Sequence, residues 1–398
     1  MLRRVVVVLA AATLGAGVLV GGGVGSPGAL VDEATVQPSP NSGTTYNALR
    51  AVSCVAPDAC TAVGDDGISQ TLVLARSAGP WTVVPSPSAG SAANRVASVA
   101  CAGPSWCAAV GLALSGPLGE TLALVWNGTA WSLTPTPNPG GFIDYLNGVV
   151  CLSPVACTAV GSTNDGSGGL TLVLAWDGTA WSVVPSPSVG TVNSVLKSVA
   201  CVSASWCTAV GNAYNGTAEE TLVLRWDGSA WSVVPSPDVG LTGNFLNSVA
   251  CAATDRCTAV GYSYDGLAYR TLVLGWDGSA WTVESSPNTG TGNNILTAVA
   301  CPDVSSCVAV GTFTEGSADR TLVLAGAAGS WARVASPNAG PASNYLRGVA
   351  CLDATTCTAV GSYYDGTTDR TLVLALRGTP PVPDPPDPPA PVVPRFTG

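Results

Sequence analysis

From residue 48 to residue 377 the chain alternates short apolar runs with breaks rich in Gly, Pro, Asn and Asp. No apolar spacing of helical period persists, so runs rich in Val, Thr and Trp predict strands. Residues 246–287 show the unit: LNSVACAATDRCTAVGYSYDGLAYRTLVLGWDGSAWTVESSP. Four strands are expected in it. The first, of small residues, runs from Leu246 to Cys251, and the second from Cys257 to Gly261. The third spans Thr271 to Trp276 around TLVL, and the fourth starts at Trp281 and ends near Ser285. Nearly the same text fills residues 196–237. Seven C-x5-C pairs mark the repeat: Cys54/Cys60, Cys101/Cys107, Cys151/Cys157, Cys201/Cys207, Cys251/Cys257, Cys301/Cys307 and Cys351/Cys357. The first step between pairs is 47 residues and each later one is 50.

A unit of this length with four short antiparallel strands is a propeller blade. The expected fold is therefore all-β: a seven-bladed β-propeller with four antiparallel strands per blade. The ends of the array add to this. The seventh repeat stops after TLVLALRG, without its fourth strand, while VQPSPNSGTTYNALRAVSC at residues 36–54 matches VVPSPSVGTVNSVLKSVAC at 183–201. The N-terminal strand is thus expected to complete the last blade, with Thr35–Ser39 lying beside Thr371–Leu374. Closing the ring in this way removes two exposed sheet edges.

Composition narrows the chemistry. The chain has 398 residues, 47% hydrophobic and 10% charged, with a net charge of -10. Such acidity argues against nucleic-acid partners and against adsorption to anionic membranes. There is no histidine, which removes Ser-His-Asp triads, Cys-His dyads and imidazole metal sites together. Arg3 and Arg4 followed by the apolar run Val5–Val20 and small residues up to Ala29 read as a signal peptide over residues 1–29. The propeller then occupies 30–379, and the Pro-rich tail 380–398 is expected to be disordered. A secreted or envelope-associated monomer follows, with no membrane insertion after signal cleavage.

The unit resembles a WD-type propeller repeat, because the third strand ends in Trp176-Asp177, Trp226-Asp227 and Trp276-Asp277, with Trp126-Asn127 close to it. The Gly-His dipeptide of that family is missing. The segment WDGSAW is similar to the Asp-box hairpin of sialidase-like propellers, although its spacing is D-G-x-x-W instead of D-x-G-x-x-W. The resemblance implies a binding scaffold more often than an enzyme, so function has to be argued from the site.

An even cysteine count in a fixed frame of a secreted chain predicts seven local disulfides instead of zinc thiolates. Each contributes about 2 kcal/mol in the chain-entropy picture. The paired tryptophans recur from blade to blade, which favours packing over sugar platforms. Residues that break the repeat are better candidates. Tyr145, Tyr214, Asn244, Tyr262, Tyr264, Asp265, Tyr345 and Tyr364, placed on the variable loops, are expected to bind an extracellular glycan or protein. Arg270, Arg320 and Arg370 read as salt-bridge partners. The alternatives are a structural envelope protein, or a glycosidase or lyase using two acids from among Asp144, Glu219, Glu220, Asp265 and Glu315. No catalytic residue, cofactor or metal is assigned.

Overall fold

The computed structural model describes residues 31–378 apart from 68–69, 91, 167, 191 and 328. The expected signal peptide and Pro-rich tail lie outside the described residues. Among the described residues every regular element is a β-strand, 28 in all. They form four separate four-stranded antiparallel sheets and one twelve-stranded sheet. The latter is three four-stranded units joined by single parallel bridges, such as Gly169 with Asn193.

In the unit quoted above the strands are Asn244–Ala253, Arg256–Tyr264, Tyr269–Trp276 and Trp281–Glu284, paired in that order. The second strand outruns its expected end at Gly261, because Tyr262 and Tyr264 continue the pairing, Tyr264 opposite Tyr269. Tyrosine suits a pleated surface. The candidate tyrosines therefore sit on strand ends, which hold them more firmly than loops would.

The TLVL run lacks polar alternation because both its faces are buried. Leu272 and Leu274 pack with Val210 and Val223 of the preceding unit, whereas Val273 joins Val260 and Leu296 toward the following one. This exchange repeats until Leu49, Leu72 and Leu74 meet Val360 and Val373 of the last unit. The core is thus a closed circuit of clusters, each shared by two neighbouring sheets. The first strands also lie side by side from Ala48–Ala56 to Asn344–Asp353, and the last of them returns to the first.

Closure uses the same chemistry as every other unit. Within a unit, Thr271 Oγ1 hydrogen-bonds Ser286 Oγ (2.8 Å), and its amide donates to Asn288 Oδ1 (2.9 Å). This clamp accounts for the recurring P-S-P text. In the last sheet, Glu33–Gln37 pairs with Asp369–Arg377, with Val36 opposite Leu374. There Thr371 takes Ser39 and Asn41 as its clamp, each at 2.9 Å, from 332 and 330 positions away in the chain. The N-terminal strand completes the last sheet, as the text of the repeat predicts.

All fourteen cysteines pair as expected: Cys54–Cys60, Cys101–Cys107, Cys151–Cys157, Cys201–Cys207, Cys251–Cys257, Cys301–Cys307 and Cys351–Cys357. Their Cα–Cα distances are 3.9–4.1 Å across the hairpin between first and second strands. Each bridge staples its own hairpin, as expected, and the second cysteine of every pair is also a core residue. Cys60, Cys107 and Cys357 are only 4%, 2% and 1% exposed, and Cys157, Cys207, Cys257 and Cys307 are buried likewise. Each lies in the apolar cluster that its sheet shares with a neighbour: Cys60 beside Leu72 and Val360, Cys107 beside Leu122 and Val63, Cys357 beside Leu372 and Val310. The first cysteines, Cys54, Cys101 and Cys351 among them, are half-buried at the edges of the same clusters. The physical reason is the strand alternation. The second cysteine opens the doubly buried second strand, and a bridged sulfur carries no charge that would oppose burial. The bridges are therefore part of the packing between sheets. Seven disulfides point to an oxidising compartment.

Candidate functional site

The pairing of first and second strands slips by one residue after Leu246, leaving Asn247 without a partner in the ladder. Such a bulge re-aims the extra side chain. Gly261 lies opposite, where a Cβ would collide with the carbonyl oxygen of Phe245, so only glycine fits. The same slip occurs at Arg50, Ala97, Asn147, Lys197, Thr297 and Arg347. All seven bulge residues line one cavity of about 440 Å³, together with Arg95, Tyr145 and Tyr262. They also line a narrower space of about 160 Å³ deeper along the first strands. Equivalent side chains from successive units converge there, which defines a central channel and its mouth.

The channel wall has two kinds of residue. Asn147 Nδ2 donates to Leu196 O (2.9 Å), Asn247 Nδ2 to Leu296 O (2.7 Å) and Thr297 Oγ1 to Leu346 O (2.8 Å). Each neutral side chain thereby bridges to the next first strand. The arginines do otherwise. Arg50 Nε donates to Asp65 Oδ1 at 2.5 Å. Arg347 lies over the Tyr345 ring, 5.1 Å from its centroid, and its Nε is buried without a hydrogen bond. Burial, and then the nearby Arg50 charge, lower the pKa of both Arg347 and Arg95. Lys197 Nζ donates to Asn247 Oδ1 (3.1 Å) and lies 5.2 Å from the Phe245 ring centroid. Burial brings its pKa down to about 8, against the pull of Glu219.

The predicted residues divide. Tyr145 and Tyr262 border the mouth, and burial raises the pKa of each. Tyr262 stacks on Phe245 at 4.7 Å and meets Tyr269 edge-on at 5.0 Å, and Tyr269 in turn contacts Tyr264 at 5.5 Å. The hydroxyls of Tyr214 and Tyr264 donate to Gly216 O and Gly266 O of their own turns, both at 3.0 Å. Tyr345 supports Arg347, and Tyr364 is exposed. Asn244 is not presented to a ligand. It is buried, and its Oδ1 accepts from the Val239 and Gly240 amides at 2.9 and 2.6 Å. Asp265 shapes its turn through the Leu267 and Ala268 amides and pairs with Arg270 at 2.7 Å. Arg320 and Arg370 make the equivalent pairs with Glu315 and Asp365.

The tryptophan pairs are structural: Trp176 and Trp181 lie 5.5 Å apart across their hairpin, and Trp176 Nε1 donates to Pro154 O. The other candidate acids are engaged nearby. Asp144 is buried and accepts from the Gly140 amide, Glu219 accepts from Asn212 Nδ2, and Glu220 from Asn215 Nδ2. Sequence reasoning missed Arg50, Arg95 and Arg347. For Arg50 and Arg347 the signal lay in one column of the repeat, the residue after the first-strand Leu or Val, which reads Arg, Ala, Asn, Lys, Asn, Thr, Arg inside nearly constant text; Arg95 lies two positions before that column's Ala97.

No family profile matches the chain, and no curated protein matches its sequence. Among solved structures it is similar to Ycf48 bound to a D1 peptide, at 14% identity and a TM-score of 0.53, over 87% of this chain and 96% of that one. It is also similar to the GH74 xyloglucanase from Xanthomonas campestris, at 13% identity and a TM-score of 0.53, over 84% of this chain. The chain spans about half the length of that xyloglucanase, 54%. Both are β-propeller proteins, and identities this low carry the fold alone. The chain is built on a β-propeller scaffold.

Proposed function

We propose that this chain is a seven-bladed propeller that works outside the cytoplasm as a non-catalytic scaffold. Its ligand is a segment of another protein, docked across the face onto which the channel opens. The observation that carries this reading is a break in the repeat. Phe245, Tyr262, Tyr269 and Tyr264 form a continuous aromatic strip from the channel mouth outward. Beyond it stand Leu241, 72% exposed, and Leu267, 89% exposed. Leucines this open are not needed by a turn, and aromatic and aliphatic side chains on a rigid sheet are the usual anchors of protein recognition. A glycan would need polar groups to orient it, and the candidate Asn244 and Asp265 are already satisfied. Ycf48, similar in scaffold, is bound to a peptide, so a propeller of this kind can take such a ligand.

A peptide-display library screened against the oxidised chain tests the proposal. Recovered peptides are expected to lose at least tenfold in affinity for a Tyr262→Ala, Tyr264→Ala, Leu267→Ser variant whose melting temperature is unchanged. Failure to recover peptides, together with binding or release of sugar from a polysaccharide panel, would return the molecule to the carbohydrate readings.

A further inference from the structure

The channel mouth holds a charge imbalance that the rest of the protein does not share. The whole chain is acidic at -10, yet Arg50, Arg95, Lys197 and Arg347 face one cavity. The acids whose fields reach these cations are Asp65, Glu219 and Asp369. Of these only Asp65 makes an ion pair with one of the cations among the described residues, with Arg50. Glu219 is hydrogen-bonded to Asn212 at 2.6 Å. Arg347 and Arg95 repel Arg50 without a carboxylate of their own, and Arg347 Nε is a buried donor lacking an acceptor. Buried donors left unmatched are costly, and like charges gathered at one mouth add to that cost. Arg347, Arg50 and Arg95 come from three successive units, so their guanidinium groups form one arc of the wall.

We infer that this arc is a binding site for the side-chain carboxylates of an acidic polypeptide segment, seated between Arg347, Arg50 and Arg95 with Lys197 on the same cavity wall. The inference rests on the protein-docking reading of this face and adds the chemistry of the ligand. Guanidinium forks match carboxylates in two-pronged geometry, and a carboxylate oxygen supplies the acceptor that Arg347 lacks. A mouth of about 440 Å³ admits one or two side chains of a segment whose backbone stays outside. The aromatic strip then holds the apolar residues of the same segment.

The test titrates the full oxidised chain, by fluorescence anisotropy, with a labelled peptide of alternating Glu and Leu, with its Gln counterpart, and with sodium sulfate as competitor. The Glu peptide is expected to bind at least tenfold more tightly than the Gln peptide, to be displaced by sulfate, and to weaken about tenfold in Arg95→Ala and in Arg347→Gln. Arg95 is exposed, so that variant keeps its fold even where Arg347→Gln does not. Equal binding of the two peptides, or indifference to Arg95→Ala, overturns the carboxylate site and leaves the docking face standing. Arg-dependent thermal stabilisation by sulfate with no binding of either peptide overturns the polypeptide source in favour of a free oxyanion, and the docking reading then stands or falls with the display library.

Discussion

Asn247 and Arg347 occupy the same place in their repeats, each the extra residue of a bulge, each opposite a glycine. Asn247 uses its amide to bridge to the Leu296 carbonyl of the next unit. Arg347 rests on Tyr345 and keeps a donor without an acceptor. One arc of the channel is thus committed to holding the ring together, while the other is left with hydrogen-bonding capacity. The bulge makes this division possible. It delivers one side chain per unit to the channel without disturbing the ladder on either side, so the residue there can change while the scaffold stays constant.

The comparison breaks most severely if the bulges are not equivalent. Gly261→Ala and Gly64→Ala each press a methyl group against a backbone carbonyl, of Phe245 and Ala48 respectively. Both are expected to destabilise by about 3 kcal/mol or more in urea unfolding. A tolerated Gly64→Ala would mean that the cationic arc is built differently. A middle-sized effect separates the arcs. Asn247→Ala removes the bond to Leu296 O and is expected to lower stability by about 1–2 kcal/mol. Arg95→Ala relieves repulsion and is expected to stay within about 0.5 kcal/mol of the parent. Equal losses at the two sites would erase the distinction.

The smallest expected effect concerns Lys197, a cation bonded to a neutral bridge. Its folded pKa of about 8 lies below the ordinary 10.5. The unfolded chain therefore holds the proton more tightly, and stability should rise as pH climbs from 8 toward 10.5. About 1 kcal/mol is expected between pH 7.5 and pH 9, below the range in which tyrosines interfere. Lys197→Met should flatten the slope, and an unchanged slope would assign it to other groups.

Much of the architecture was legible in the residues. The cysteine frame, the TLVL runs and the displaced P-S-P segment led directly to paired cysteines, the third strands and the closing strand. Those features repeat, and repetition turns a weak local preference into a strong one. Spacing alone reports which cysteines meet, however, and not that Cys60, Cys107 and Cys357 also fill the space between sheets, because that burial depends on neighbours about 50 residues away or across the closing seam. The site was less legible. Tyr145 and Tyr262 reach the channel mouth, but Asn244 and Asp265 obey the ordinary physics of turns, satisfying backbone amides. The arginines escaped notice because a bulge is a slip in register, and an ideal strand of period two would have sent Arg347 and its equivalents in another direction.

Closure of the ring by Glu33–Gln37 makes the cationic arc a product of chain completeness. The segment that leads the described chain takes its place only when Thr371, 332 positions after Ser39, is available to clamp it. Until then Leu374 and Leu376 lack the cover that Val31 and Ala34 give them. Arg347 and Arg50 belong to the two sheets that meet beside this seam, where Leu49 packs on Val360 and Val373. A chain ending short of Thr371 would retain its neutral bridges and lose the seam that brings Arg347 up to Arg50. The arc thus depends on both ends of the ring, and a chain cut before Thr371 would be unfinished in its core as well as at the meeting of Arg347 with Arg50.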